Sequence, residues 1–387
     1  MNHFVPSKRI LLGPGPSDAD PRVLTALSAP LLGHLDPEFL QVMDDIQNLL
    51  RFVFETENKL AIPLSGTGSA GMEAAFVNMV EPGDRVVVCV NGVFGERMAD
   101  IVGRCGGELT RLDAEWGKSF DPNQIEQVLQ SVRPKLLSIV HAETSTGVLT
   151  SLSHVREVLN AFPETLLMVD CVTSLGGHPV GVDHQRIDIA YSGTQKCLSC
   201  PPGLSPITLS ERALDALKKR KSKVQSWYLD LTMVEKYWGA ERTYHHTAPI
   251  SMNYALHEAL VIVQEEGLEK RWARHQLNHQ AFVAGVEAMG LEMLCDPQNR
   301  LWSLNTVRIP EGVNDAVVRS RLLDEFQIEI GGGLGPLKNK IWRVGLMGTS
   351  SNKNNIVLLL SALERILSDE GFKVDRGAAT KAALNCY

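Results

Sequence analysis

The 387 residues include 38 Lys and Arg against 45 Asp and Glu, a formal charge of −7, with 44% hydrophobic side chains. That balance is ordinary for a soluble globular chain and argues against nucleic acid or an anionic membrane as a main partner. No apolar run approaches the roughly 18 residues of a membrane span, no charged-then-apolar leader opens the chain, and the seven cysteines are irregularly spaced, so the expectation is a cytoplasmic protein with reduced thiols.

In chain order, Pro6, Pro14 and Pro16 prevent a regular helix, so residues 1–17 read as an extended arm. From Lys59 to Ser210, strand-like and helix-like patterns alternate. Apolar runs at 60–64, 85–90, 135–140, 166–169, 187–191 and 205–209 predict strands, and segments 70–80, 95–103, 122–131 and 152–162 predict helices. Strands separated by helices imply a mostly parallel sheet covered on both faces. The basic run 218–221 reads as a solvated helix face or loop. Beyond Met252 the pattern changes to a long helical stretch to Met289, broken near Gly267. A strand at 303–309, a helix at 315–325, a glycine turn at 331–333, a strand at 341–346 and a helix at 354–368 follow. The expected division is a large α/β domain over 18–266 and a small α+β domain over 267–387. The tail from Asp375, polar and rich in small residues, is expected to fray.

Candidate functional residues stand at the ends of these strands. Lys196 closes Ser192-Gly193-Thr194-Gln195-Lys196, and Asp170 ends the apolar run before it. A lysine amine and a carboxylate so placed suit pyridoxal phosphate (PLP): the amine condenses with the cofactor aldehyde, and the carboxylate keeps the pyridine nitrogen protonated. Taken singly, a lysine after a strand is more often a surface residue.

Ser65-Gly66-Thr67-Gly68-Ser69-Ala70-Gly71, between a strand and a helix, suits a phosphate at a helix N-terminus, or is a plain turn. It also fits G-x-G-x-x-G, the mark of an NAD-dependent dehydrogenase, but that fingerprint wants a carboxylate about 20 residues on, where Asn91 stands. Phe94 offers a flat platform or a core side chain. The Thr144 hydroxyl could meet a cofactor oxygen or cap a turn. Arg343 could grip a substrate carboxylate or face outward from its strand. Cys197 and Cys200 form a C-x-x-C with redox and metal readings, without a second ligand pair. Tyr244-His245-His246-Thr247 is a polar aromatic cluster in a loop, and adjacent histidines suit a metal poorly.

Together these motifs resemble the class V aminotransferases of fold-type I, and within them the alanine–glyoxylate (serine–pyruvate) type. The resemblance runs from Leu11-Leu12-Gly13-Pro14-Gly15-Pro16-Ser17 through Glu143-Thr144-Ser145-Thr146-Gly147 and Val169-Asp170-Cys171 to Gly331-Gly332-Gly333-Leu334-Gly335 and Arg343-Val344-Gly345. It implies an α/β fold with a mostly parallel seven-stranded sheet sandwiched by helices, plus a smaller C-terminal α+β domain. It also implies PLP linked to Lys196, with Asp170 on the pyridine nitrogen, Phe94 stacked on the ring, and Thr144 on a cofactor oxygen. Thr67, Gly68, Ser69 and Gln195 would hold the phosphate. Tyr244 and Thr247 would reach the phosphate of a neighbouring subunit, making a homodimer with shared sites. Arg343 would bind the substrate carboxylate and Gly15 would line the pocket. Relatives often carry His at Ser69 and Trp at Phe94. The implied reaction is transfer of an amino group from alanine or serine to glyoxylate or pyruvate. Related transaminases of ureidoglycine or aminoethylphosphonate are the alternatives.

Overall fold

The structure, a computed structural model, describes residues 5–387; the first four residues of the expected arm lie outside them. Seven strands build the main sheet: β1 (Leu60–Ser65), β2 (Arg85–Val90), β3 (Glu108–Asp113), β4 (Leu136–Val140), β5 (Leu166–Asp170), β6 (Ile189–Tyr191) and β7 (Leu204–Leu209). Their order is β1-β7-β6-β5-β4-β2-β3. Only β7 runs against its neighbours, pairing antiparallel with β1 and β6. β2, β4 and β5 are almost wholly buried, as continuous Val and Leu runs require when helices cover both faces.

The strand that the apolar runs miss is β3, Glu-Leu-Thr-Arg-Leu-Asp. It is the sheet's edge, so charged side chains face water along it, and Arg111 pairs with Glu96 at 2.7 Å and Asp113 at 2.6 Å. Two helices also precede the sheet, Pro21–Leu27 and Pro37–Phe54. Each starts at an Asp N-cap followed by Pro, which satisfies an orphan amide and pre-sets the first turn.

Hydrophobic burial falls into two principal clusters. The larger surrounds the main sheet and includes Leu256, Leu260 and Val263 of α3 (Ile250–Glu266). The second holds Phe282 and Val286 of α4 (Leu268–Ala288), Val344 and Ile356, and also Leu12 of the N-terminal segment. The break between α3 and α4 falls at Gly267, φ 79°. The arm is bound to the second cluster: Ile10–Leu11 pairs in parallel with Ile328–Glu329.

Two expectations are corrected here. Gly331–Gly332 is a strand paired with Arg343 and Trp342, where a turn was expected. It is glycine because a Cβ on Gly331 would stand 2.6 Å from Pro14 Cδ of the incoming arm. The tail is ordered, not frayed: Ala378–Leu384 is a helix with Ala379 and Ala383 buried. Its N-cap, Gly377, has no side chain, and the cap is supplied by buried Glu364, which accepts from the amides of Gly377 (3.1 Å) and Ala379 (2.7 Å). That cap comes from another helix, so no local pattern signals it.

Candidate active site

The candidate residues gather at the C-terminal ends of the parallel strands. A cavity of about 220 Å³ is lined by Thr67, Gly68, Ser69, Phe94, Asp170, Gln195 and Lys196, together with Met72, Arg97 and Val172. A larger cavity of about 880 Å³ lies near Gly267 and contains none of these residues.

Thr67 is the N-cap of α1 (Gly68–Met79), yet its hydroxyl caps nothing in the helix, which leaves it and the first-turn amides facing an anion-sized space. Asp170 ends β5 and is buried. Its Oδ1 accepts from the Val172 amide at 2.8 Å, whereas Oδ2 makes no full hydrogen bond among the described residues, with the equally unpartnered Tyr191 hydroxyl close enough to help hold the carboxyl down. Burial, aided by the nearby Glu143 charge and opposed by the Val172 amide, pushes this carboxyl up to about 7. Gln195 Oε1 is likewise buried and unpartnered.

Lys196 lies in the loop after β6. The arm holds that loop: the Ser17 amide donates to Gln195 O at 2.9 Å and the Ser17 hydroxyl to Lys196 O at 2.7 Å. The Lys196 amine donates to Pro14 O. Gly15, at φ 105°, passes directly over this amine, and a Cβ there would come 2.5 Å from Nζ. Burial, with the Arg343 charge, lowers the Lys196 amine to about 8.

Phe94 is the second residue of α2 (Val93–Arg104), with the Arg97 guanidinium 5.0 Å from its ring centroid. Arg97 also donates to Ser69 Oγ at 3.0 Å. Sequence reasoning missed Arg97, although its position three residues after Phe94 on a helix places the two on one face. Thr144 and Arg343 are buried beside the cavity without lining it. Arg343, on the strand Ile341–Gly345, donates from Nε to Gly332 O (2.7 Å) and from Nη1 to Thr144 O (3.4 Å). Burial lowers its guanidinium to about 10 while Glu143 opposes that shift.

Tyr244 and Thr247 are not brought to this cavity. Tyr244 is 56% exposed, against His34 at 5.1 Å between centroids, with its hydroxyl 3.4 Å from that of Thr247. His246 instead bonds Ser65 Oγ at 2.7 Å. The dehydrogenase alternative fares badly: Asn91 is buried and its amide donates to Lys118 O at 3.0 Å, so no carboxylate stands where a ribose would need one. Cys197 and Cys200 are buried and unpaired, contrary to what a redox pair would need.

The arrangement fits PLP. An unpartnered buried carboxylate oxygen, an amine of lowered proton affinity, an aromatic wall and a helix N-terminus with a free cap hydroxyl converge on one space.

Comparison with known proteins leads to the same cofactor. The family model for class V aminotransferases matches residues 14–342. The rat (Rattus norvegicus) alanine–glyoxylate aminotransferase is 41% identical over 364 residues, covering 93% of this chain and 88% of its own. The (S)-ureidoglycine–glyoxylate transaminase of Bacillus subtilis is 39% identical over 397 residues, covering 98% and 95%. The crystal structure of an alanine–glyoxylate aminotransferase from Nostoc sp. superposes with a TM-score of 0.93 at 49% identity, covering 95% of this chain and 97% of that one.

Proposed function

The chain belongs to the class V aminotransferases, which use PLP, and from that premise we propose that it transfers the amino group of a small amino acid, alanine or serine, to glyoxylate or pyruvate. The observation that supports the substrate class is Arg343, a buried guanidinium whose charge reaches Lys196, while the guanidinium that lines the cavity, Arg97, is engaged with Ser69 Oγ and the Phe94 ring. One clamp suits the one carboxylate of a small amino acid or 2-oxo acid.

When bound, the cofactor supplies the electron sink that lets a Cα proton leave, and it carries the amino group between the two substrates. Each protein group has a part. Thr67, Gly68, Ser69 and Gln195 take the phosphate, and Phe94 provides the flat wall. Asp170 directs its free oxygen to the pyridine nitrogen. A cation against that oxygen favours the ionised carboxylate and counters the burial that otherwise protonates it. The Lys196 amine removes the proton at Cα and returns it nearby, and a value of about 8 keeps it able to do both near neutral pH. Gly15 leaves room for that movement, and Lys196 is buried, only 9% exposed. Thr144, buried behind the cavity wall, is the residue that would meet the cofactor oxygen.

Tyr244 and Thr247 serve the phosphate of a second subunit, so the working unit is a homodimer. Their exposure away from their own cavity, on the loop whose His245 and His246 pack against exposed Trp227 and Tyr228, supports this. The units 18–266 and 267–387 act as cofactor-binding and small domains, in keeping with two principal cores, the larger running on to Leu268 and Trp272 and the second beginning at Ala281 of the same helix.

A second reading, with ureidoglycine as donor, is favoured by the full-length Bacillus subtilis relative, whose crystal structure superposes with a TM-score of 0.97. Glyoxylate is the acceptor named for both kinds of relative. The test is the visible spectrum of the PLP-loaded protein with each donor and no acceptor. Alanine should bleach the yellow band and glyoxylate should restore it. Bleaching by ureidoglycine alone selects the second reading. Absence of any band after incubation with PLP refutes both.

A further inference from the structure

Glu143 is a fully buried carboxylate on the short strand Ala142–Glu143, immediately before Thr144. Its Oε2 accepts the Phe94 amide at 3.1 Å. Its Oε1 accepts the Ser145 amide at 3.0 Å and the Ser145 hydroxyl at 2.6 Å. The Ser145 hydroxyl in turn accepts the Val93 amide at 2.9 Å.

Val93 and Phe94 are the first two residues of α2, whose leading amides no residue within the helix can satisfy. The helix has Gly92 as its N-cap, with no side chain to help, and a Cβ on Gly92 would collide with the Glu143 carboxylate. The cap is therefore imported from the turn that carries Thr144. Burial pushes this carboxyl up, the Ser145 and Phe94 donors hold it down, and the positive end of the helix favours its ionised form. The same turn receives Arg343 through Thr144 O, and the Glu143 charge supports that guanidinium against burial.

We infer that Glu143 is a positioning residue for amino transfer. Through the Phe94 amide it sets the ring platform, and through the Thr144–Ser145 turn it sets the oxygen donor and the Arg343 clamp in one frame. This rests on the reading that Phe94 meets the cofactor ring and Arg343 the substrate carboxylate.

The test is Glu143→Gln in the full chain, which keeps shape, removes charge and turns donors toward amides that need acceptors. The variant should fold, with unchanged far-UV circular dichroism. Its PLP dissociation constant should rise at least tenfold, visible circular dichroism of bound cofactor at saturation should fall by half or more, and KM for alanine should rise more than kcat falls. Unchanged cofactor affinity, dichroism and KM overturn the inference, as does a loss confined to thermal stability. If Glu143→Gln does not fold, Ser145→Ala removes the Val93 acceptor and leaves the charge. It should weaken PLP about threefold, and unchanged values there overturn the inference. Phe94→Ala and Arg343→Gln are run alongside. If neither alters PLP affinity or KM, the underlying site reading fails. If both do and Glu143→Gln does not, only the role of Glu143 fails.

Discussion

At pH 8, Asp170→Asn should make the cofactor-free protein more stable while weakening its hold on PLP. In the unfolded chain this carboxyl ionises near its ordinary 3.8, whereas burial in the folded chain raises it to about 7. Between those values the native state binds a proton that the unfolded state releases, so the group's contribution to stability falls as pH rises. At 1.36 kcal/mol per unit, the native state carries a cost of roughly 4 kcal/mol at pH 8 and roughly 2 kcal/mol at pH 5. Asparagine is nearly isosteric, keeps an oxygen for the Val172 amide and does not ionise. Its amide nitrogen takes the place of the unpartnered Oδ2 at a cost of about 1–3 kcal/mol, but that cost is independent of pH. The diagnostic quantity is therefore the change in the stability gap. Urea unfolding of both apo-proteins at fixed protomer concentration should show the variant gaining about 2–3 kcal/mol on wild type between pH 5 and pH 8. PLP titration of the same samples should show weaker retention in the variant, because the pyridine nitrogen loses its anionic partner. A gap that stays constant across that pH range refutes the argument that Asp170 is held against its ionisation by burial. Undiminished PLP affinity refutes its role on the pyridine nitrogen.

Lys196→Ala should leave a folded protein that binds PLP without the covalent link and transaminates negligibly, and near-normal turnover in a stopped assay would sink that assignment. Arg343→Gln should lower kcat/KM for alanine roughly a hundredfold, about 2–3 kcal/mol for a lost charge-assisted pair, with PLP absorbance retained; steady-state kinetics decide it. Gly15→Ala places a methyl group 2.5 Å from the Lys196 amine at φ 105°, a strain of about 1–3 kcal/mol; kcat should fall at least about tenfold while far-UV circular dichroism stays unchanged. Deleting residues 377–387 should lower the melting temperature by at least about 5 °C, since it strips buried Glu364 of the two amides that donate to it and removes Ala379 and Ala383 from the core. A tail that contributed nothing would leave the melting temperature unchanged.

The sequence alone was enough for what depends on neighbours along the chain. Fully buried parallel strands must be apolar throughout, so Arg85–Val90 and Leu166–Asp170 are legible as runs, and the helix break at Gly267 is legible as a glycine between two periodic stretches. Short motifs likewise named Lys196, Asp170 and the Thr67–Ser69 turn, because their chemistry is carried by residue type at a strand end. What the tertiary structure alone decided involves partners far apart in sequence. Glu108–Asp113 becomes a strand only by pairing with Arg85–Val90, since its own residues are half charged. The tail is held as a helix by the second core, which buries Ala379 and Ala383, and by Glu364, which caps it from another helix. Gly15 matters because the arm passes over a lysine 181 positions later, and Glu143 matters because it holds the amide of Phe94, 49 residues earlier. Local periodicity reports the burial a segment requires, but it carries no information about which distant group will satisfy a buried amide or stand beside an amine. Those pairings exist only once the sheet and the second core have packed.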